Sequence, residues 1–141
     1  MNSLLIQRLS ESATIPLRST EGSAGLDVFA SENIIVKPNF QEIVNTDVAI
    51  KCPAGTYARL TDRSSLTLKK IRVNGGVIDS DYTGPIKVVL YNYGNVEYEI
   101  MKGDRICQMI ITPVSFPELK EVRKLPDTDR GTKGFGSTGR Q

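Results

Sequence analysis

Short runs of β-favouring residues, each ended by a turn, dominate this sequence and favour an all-β fold. Proline, glycine and asparagine separate the runs, as at Lys37-Pro38-Asn39 and Lys102-Gly103-Asp104, where the chain is expected to reverse. Many short strands with such turns predict a β-sandwich, jelly roll or barrel. The runs are residues 4–9, 25–29, 33–36, 43–50, 57–60, 73–78, 86–93, 98–100 and 106–114.

One stretch has a helical pattern. Residues 64–70 have room for one or two turns, with Ser64 or Ser65 as the N-cap. The chain of 141 residues corresponds to one domain. Hydrophobic periodicity stops at Asp127, so we predict a folded β-domain over residues 1–126 and a flexible, glycine-rich tail over residues 127–141.

Charge and cysteine content limit the partners and the compartment. The net charge of +2 is too small to indicate a nucleic-acid polymer or a membrane surface as a partner. No apolar run approaches the roughly 20 residues of a membrane span. Cys52 and Cys107 are the two cysteines, which fits reduced thiols, and we interpret both as packing residues. We expect a soluble, intracellular protein.

The sequence contains no histidine. This excludes Ser-His and Cys-His nucleophile pairs, a histidine general base and the common zinc sites. It also lacks the glycine-rich loops that hold phosphate in P-loop and Rossmann proteins. A general base in this chain would therefore be a carboxylate.

Two carboxylates and a tyrosine lie close together in residues 75–84. The pattern is that of a strand, a tight hairpin turn carrying Asp79, Asp81 and Tyr82, and a return strand from Ile86. A carboxylate on rigid β-structure can be aimed at a water molecule and accept its proton. Aspartate and glycine are also common turn residues with no chemical role, and spacing alone favours that interpretation.

Arg63-Ser64-Ser65 precedes the predicted helix. A guanidinium, serine hydroxyls and free amides together can bind an anion, although an N-cap serine beside a surface arginine is the more frequent meaning. Gln108 is a polar residue in an apolar strand, so its amide either satisfies backbone groups or faces a polar site. Asp27 alone would be a solvated aspartate, and Asp104 is expected to pair with Arg105.

The glycine-rich segment 130–139 has too little apolar surface to order by itself. Its chemistry suits a nucleotide: Arg130 for phosphate, Phe135 for a flat base, and the hydroxyls of Ser137 and Thr138 as donors beside Gly136. A solvated terminal tail is the alternative.

Taken together in their order along the chain, five segments resemble the five motifs of the homotrimeric dUTPases, the deoxyuridine triphosphate nucleotidohydrolases. The resemblance spans nearly the whole chain, and its third and fifth motifs are highly specific. The segments are Ala24-Gly25-Leu26-Asp27, Arg63-Ser64-Ser65-Leu66, Gly76-Val77-Ile78-Asp79-Ser80-Asp81-Tyr82, Gly103-Asp104-Arg105-Ile106-Cys107-Gln108 and Arg130 to Gly139.

The resemblance implies a β-clip, or distorted jelly-roll barrel, and Mg²⁺-dependent hydrolysis of dUTP to dUMP and pyrophosphate. It implies a homotrimer with shared sites, Asp79 as the base that activates water, and Asp27 holding magnesium through water, with the metal mainly on the phosphates. The tail would close over the nucleotide as a lid. The implied substrate contacts are Arg63, Ser64, Ser65, Asn74, Gly76, Val77, Ile78, Tyr82, Gln108, Arg130, Phe135, Gly136, Ser137 and Thr138.

Three residues depart from the family pattern. Asp62 and Ser65 stand where Pro-Arg-Ser-Gly is usual, which puts a negative charge and a Cβ beside the phosphate site. We expect Asp62 to pair with Arg63 or Arg59, or to face a subunit contact. Thr83 replaces a common arginine. We expect activity to survive these changes.

Two other functions remain open from the sequence. Arg63-Ser64-Ser65-Leu66 resembles the motif of the dCTP deaminases, of the same superfamily, more closely than the dUTPase version. Two features weigh against a deaminase: its essential glutamate would fall at Val89, which cannot exchange protons, and the terminal Gly-Phe-Gly-Ser-Thr-Gly segment is a dUTPase trait. The departures at Asp62 and Ser65 would also fit a nucleotide-binding regulatory protein with weakened catalysis. The compact form suits a microbial or viral enzyme.

Overall fold

Ten β-strands and one short helix make up the described part of the chain. The structure is a computed structural model that describes residues 2–136. Its strong β-content confirms the all-β prediction. The elements are β1 (Leu5–Arg8), β2 (Leu26–Phe29), β3 (Ile34–Val36), β4 (Gln41–Lys51), β5 (Thr56–Thr61), α1 (Ser64–Thr67), β6 (Ile71–Asn74), β7 (Val77–Ile78), β8 (Pro85–Asn92), β9 (Tyr98–Ile100) and β10 (Arg105–Pro113).

The strands form two four-stranded sheets and one two-stranded sheet. Their orders are β1-β4-β8-β6, β2-β10-β5-β7 and β3-β9, and every pairing is antiparallel. The side chains that point inward from the sheets form one hydrophobic core. In β8 the alternation is clear, since Ile86, Val88 and Leu90 are buried whereas Lys87 is exposed. This period of two is the pattern of a strand with one face in the core.

The predicted single strand over residues 73–78 is wrong, because the chain breaks it at two glycines. Gly75 and Gly76 have φ values of 69° and 101°, which end β6 and redirect the chain into β7. The two strands then lie in different four-stranded sheets. The predicted tight hairpin is wrong as well, because β7 pairs with β5, whereas β8 pairs with β4 and β6.

A Gly76→Ala variant is expected to melt at a clearly lower temperature than the native protein. Its new Cβ would lie 2.4 Å from the Leu60 carbonyl oxygen, on a backbone of positive φ. Gly55→Ala is the matched control, because Gly55 also has positive φ (77°) but nothing within 4 Å of the position that the new methyl group would take. The strain of an alanine at positive φ costs about 1–2 kcal/mol in either variant. Gly76→Ala adds a steric clash to this strain, so it should have the lower melting temperature of the two. Equal melting temperatures at equal protein concentration would contradict the steric argument.

The predicted helix is shorter than expected and has a different cap. It covers Ser64–Thr67, and its N-cap is Arg63, with no side-chain capping hydrogen bond. The serine cap is therefore wrong: Arg63 has the extended backbone of the N-cap position, so both serines fall inside the helix. Leu66 anchors the helix by packing into the core.

The last strand ends at Pro113, and residues 115–136 are all exposed. The division predicted near residue 126 stays a prediction. Ser137 and Thr138 lie outside the described residues. Among residues 2–136, no helix has the length and apolar character that a membrane crossing requires.

Candidate active site

Sheet β2-β10-β5-β7 brings three predicted site residues together. Gln108 in β10 lies opposite both Asp27 in β2 and Thr61 in β5. Residues directly opposite one another in antiparallel strands have neighbouring side chains on one face. Arg63 follows Thr61 by two residues and reaches the same place. We call Asp27, Arg63, Arg105 and Gln108 the Asp27 cluster.

Asp27 is an ion-paired carboxylate. Its Oδ2 atom accepts hydrogen bonds from Arg105 Nε at 3.0 Å and from Ser19 Oγ at 2.6 Å, and its Oδ1 atom lies 3.6 Å from Arg63 Nε. Its side chain is only 14% exposed. The interpretation of Asp27 as a solvated residue is therefore wrong, and so is the Asp104–Arg105 pair, because Asp104 instead accepts the Met101 amide at 2.9 Å.

The Gln108 amide satisfies a backbone group, which is one of the two alternatives left open by the sequence. Its Nε2 donates to the Asp62 carbonyl at 2.9 Å. Its Oε1 lies against Gly25, where a Cβ would come within 2.6 Å of it. The side chain thus links the start of β2 to the segment that leads into Arg63.

Arg63 and Ser65 line a polar recess beside the Asp27 cluster. The recess has a volume of about 480 Å³ and is also lined by Lys69 and Arg105. Ser64 and Ser65 are exposed, and the Arg63 side chain is 29% exposed. Glu99 and Asp104 also line the recess, and Arg63 and Arg105 are both paired with Asp27. Cations beside serine hydroxyls are groups that can bind an anion with several oxygens.

Asp79 is presented on a fixed turn directly after β7. The Asp79 carbonyl accepts the Tyr82 amide at 3.1 Å, and Lys51 Nζ donates to the Ser80 carbonyl at 2.9 Å. The backbone is therefore held on two sides, whereas the Asp79 side chain is exposed. Its carboxylate accepts no hydrogen bond from a residue in the described range. It is free to accept one from water.

A cleft of about 250 Å³ adjoins this carboxylate. It is lined by Val77, Ile78, Asp79, Tyr82 and Lys87, among others. Ile78 is buried, whereas Val77 is 67% exposed. The Tyr82 hydroxyl donates to the Pro85 carbonyl at 2.9 Å, which fixes the phenol ring as a wall of the cleft.

Asn74 and Gly76 come shortly before β7, whose two residues line this cleft. The exposed Asn74 amide donates to Gln41 Oε1 at 3.0 Å. The Gly76 carbonyl accepts the Leu60 amide at 2.7 Å, so the glycine backbone lies directly on β5. Only a residue without a side chain permits that approach.

Within the described range, the tail residues with predicted roles form no hydrogen bond with the Asp27 cluster or with the turn that carries Asp79. Arg130, Phe135 and Gly136 are all exposed. The Phe135 ring is fully exposed. The structure of this single chain therefore leaves Phe135 and Arg130 apart from the residues with which the sequence groups them.

Asp79 and the Asp27 cluster lie at opposite ends of β5. Ala58 is paired with Ile78, so Asp79 follows at the level of Tyr57. Arg63 is six residues beyond Tyr57, which corresponds to about 20 Å of extended backbone. Within one chain the carboxylate and Arg63 form two separate half-sites.

Neither cysteine is suited to chemistry, as the sequence predicted. Cys52 and Cys107 are both buried and unpaired with each other. Burial raises the pKa of both thiols, so they stay protonated.

Several contacts around the site could not be found in the sequence. Lys51 reaches the Asp79 turn from a strand 29 residues earlier, and Ser19 reaches Asp27 from an irregular loop. Asp62 pairs with Arg72 at 3.0 Å, not with Arg63 or Arg59 as expected. The signal for that pair, two opposite charges ten residues apart, is too common to identify a contact.

Comparisons with known proteins identify the family of this chain. The sequence model of the dUTPase family matches residues 11–139. The deoxyuridine 5'-triphosphate nucleotidohydrolase of Mus musculus is 48% identical over 139 residues, covering 98% of this chain and 86% of its own length. That of Paramecium bursaria Chlorella virus 1 is 47% identical over 140 residues, covering 99% of each.

Solved structures give the same result for the fold. The Staphylococcus bacteriophage 80alpha dUTPase G164S mutant with dUpNHpp superimposes with a TM-score of 0.95 at 30% identity, covering 99% of this chain and 100% of that one. The predicted dUTPase-like barrel is thereby confirmed. By sequence and by fold, the chain belongs to the dUTPase family.

Proposed function

We propose that Asp79 is the general base of a dUTP-hydrolysing site which copies of this chain build together. Membership of the dUTPase family makes the protein an enzyme that hydrolyses dUTP to dUMP. Water attacks the α-phosphorus and passes a proton to the base. The bond between the α-phosphorus and the oxygen that bridges it to the β-phosphorus breaks, and pyrophosphate leaves. The reaction limits uracil incorporation into DNA and supplies dUMP for dTMP synthesis.

The free Asp79 carboxylate is the observation that carries this proposal. Asp27 and Asp62 are engaged by arginines, whereas Asp79 is exposed on a fixed turn at the edge of a cleft. A general base needs an open lone pair within hydrogen-bond reach of its water, on a support that does not move. The exposed carboxylate and its hydrogen-bonded turn support this role for Asp79.

The distance along β5 supports a shared site. The backbone positions of Arg63 and Asp79 in one chain are separated by about 20 Å at the rise of an extended strand, which is too far for both side chains to act at the α-phosphorus of one triphosphate. A second copy that brings its Arg63 to the Asp79 cleft would complete the site. The Arg130 tail, exposed and docked on neither half-site, would come from a further copy in a homotrimer.

The recess beside the Asp27 cluster would receive the phosphates. Arg63, Ser64 and Ser65 offer a guanidinium and hydroxyls, and Gln108 holds the loop that carries them. Positive charge is required here, because the triphosphate must be neutralised before an anionic base and water approach the phosphorus.

The donor set suits a magnesium ion that is shared with the substrate. Within residues 2–136, no three acidic, histidine or cysteine side chains converge to hold a metal by themselves. Mg²⁺ is commonly held by one or two carboxylates, waters and substrate phosphates, and the half-buried Asp27 provides one such carboxylate, acting through water. When bound, the ion would neutralise charge on the phosphates.

The Asp79 cleft would receive the nucleoside. Backbone groups from Asn74 through Ile78 lie along its approach and would hydrogen-bond the uracil edge. The fixed Tyr82 ring would pack beneath the deoxyribose and leave no room for a 2′-hydroxyl. A wrong base would leave polar groups of this cleft without hydrogen bonds, which lowers its binding affinity.

The tail would close over the bound nucleotide. Phe135 would stack on uracil, and Arg130, Gly136, Ser137 and Thr138 would contact the phosphates. Stacking of a base on an aromatic ring contributes about 1–3 kcal/mol. Closure would exclude every water except the one that attacks.

A panel of nucleotides with magnesium tests this function. We expect pyrophosphate from dUTP and no ammonia from dCTP, because Val89, the position of the deaminase glutamate, cannot exchange protons. Release of ammonia from dCTP would instead indicate a deaminase. Tight dUTP binding without turnover would indicate a regulatory protein. Either result would overturn the proposal.

A further inference from the structure

The Asp62 carboxylate connects the loop before α1 to strand β6. Its Oδ1 accepts the Val73 backbone amide at 2.7 Å, and its Oδ2 accepts Arg72 Nε at 3.1 Å and lies 3.0 Å from Arg72 Nη2. Its backbone carbonyl accepts the Gln108 amide at 2.9 Å. The side chain is 22% exposed, so these bonds are partly shielded from water.

Val73 lies on an edge strand. Strand β6 is the outer strand of its sheet, and it pairs only with β8 among the described strands. An outward N–H of an edge strand has no partner in its own sheet. Asp62 supplies that partner from the loop that follows β5, so one side chain joins this loop to the edge of the other four-stranded sheet.

The two ends of this connection lie beside both half-sites. Asp62 is followed directly by Arg63, whereas Val73 is followed by the segment that approaches the Asp79 cleft. A second hydrogen bond, from the Leu60 amide to the Gly76 carbonyl at 2.7 Å, holds the far end of that segment on β5. Asp62 therefore holds the start of residues 73–76, and Leu60 holds the end of this segment.

We infer that Asp62 is a positioning residue for the phosphate-binding loop, with Val73 as its principal partner. The inference rests on the proposed function. The carboxylate is directed at β6, so it adds no unpaired negative charge to the phosphate recess. Arg72 is 56% exposed and its ion pair is weakened by water, whereas the amide hydrogen bond needs only an acceptor oxygen.

An Asp62→Ala variant tests this role against Asp62→Asn, which keeps an acceptor oxygen for Val73. We expect the KM for dUTP to rise about tenfold in the alanine variant, with kcat changed less than about threefold, since a displaced Arg63 binds phosphate less well. The asparagine variant should restore KM to within about threefold. Glu11→Ala removes an exposed carboxylate with no bond to a described side chain, so it should match the native enzyme.

Hydrogen–deuterium exchange provides a readout that does not depend on turnover. The backbone amide of Val73 should exchange faster in Asp62→Ala than in the native protein or in Asp62→Asn. If the alanine variant does not fold, Asp62→Ser, whose shorter side chain does not span to Val73, takes its place with the same expectation. Native KM and native exchange in the variant that folds would overturn the inference.

Failure of the proposed function gives a different result. A native protein that releases no pyrophosphate would reject the function, and the exchange experiment would still test the contact between Asp62 and Val73. An inactive Asp79→Asn variant beside a fully native Asp62→Ala variant would reject only the positioning role.

Discussion

An Asp79→Asn variant is expected to lose nearly all turnover while it still binds substrate. The amide that replaces the carboxylate cannot take a proton from water, and loss of a general base lowers kcat by roughly a hundred- to ten-thousandfold. The Asp79 side chain accepts no hydrogen bond from a described residue, so its loss should leave the fold intact. Steady-state kinetics with dUTP and magnesium measure the first effect.

The matched control is Asp81→Asn, two residues along the same turn. Both side chains are exposed, and both substitutions remove one negative charge. We expect the control to keep kcat within about threefold of the native value. Affinity is measured by calorimetry with a non-hydrolysable α,β-imido analogue of dUTP. Equal loss of turnover in the two variants would mean that charge, not proton transfer, is what the turn contributes.

Truncation after Asp129 is the second change with a large expected effect. It removes Arg130 and the glycine-rich segment, and with them the proposed contacts to uracil and to the phosphates. Loss of preorganised charge contacts costs roughly a hundred- to a thousandfold in kcat. The melting temperature should stay close to the native value, because the described residues after 129 are exposed and outside the core.

A chain that ends at Gly139 is the control for this truncation. It lacks only Arg140 and Gln141, to which no substrate contact is assigned, so it should turn over dUTP at the native rate. A truncated chain that ends at Asp129 and keeps the native rate would reject the role of the tail as a lid. Single variants at Phe135 and Arg130 then separate stacking from phosphate binding.

Much of the fold could be predicted because its signals are local. β-favouring runs such as residues 86–93 and turn residues such as Lys102-Gly103-Asp104 are visible in the sequence, and most strands lie close to the predicted runs. The error over residues 73–78 arose from two glycines of positive φ. Their backbone conformation, which sends β6 and β7 to different sheets, cannot be read from an apolar pattern.

Candidate site residues can be proposed from the sequence where a motif carries them, whereas contacts that depend on the pairing of strands cannot. Asp79 and Arg63 are such candidates, and their roles stay predictions. The contacts of Lys51 with Ser80, and of Asp62 with Val73, join residues that are remote in sequence. Such contacts depend on strand order and register, which local patterns do not specify.

The shared site is tested most directly by mixing two inactive variants. Asp79→Asn and Arg63→Ala chains are unfolded together in equal amounts and refolded, beside each variant alone. If one copy supplies Asp79 and another supplies Arg63, about a quarter of the sites in the mixture will be intact. We predict that dUTP turnover returns to about that fraction of the native rate. A mixture as inactive as its components would contradict the account.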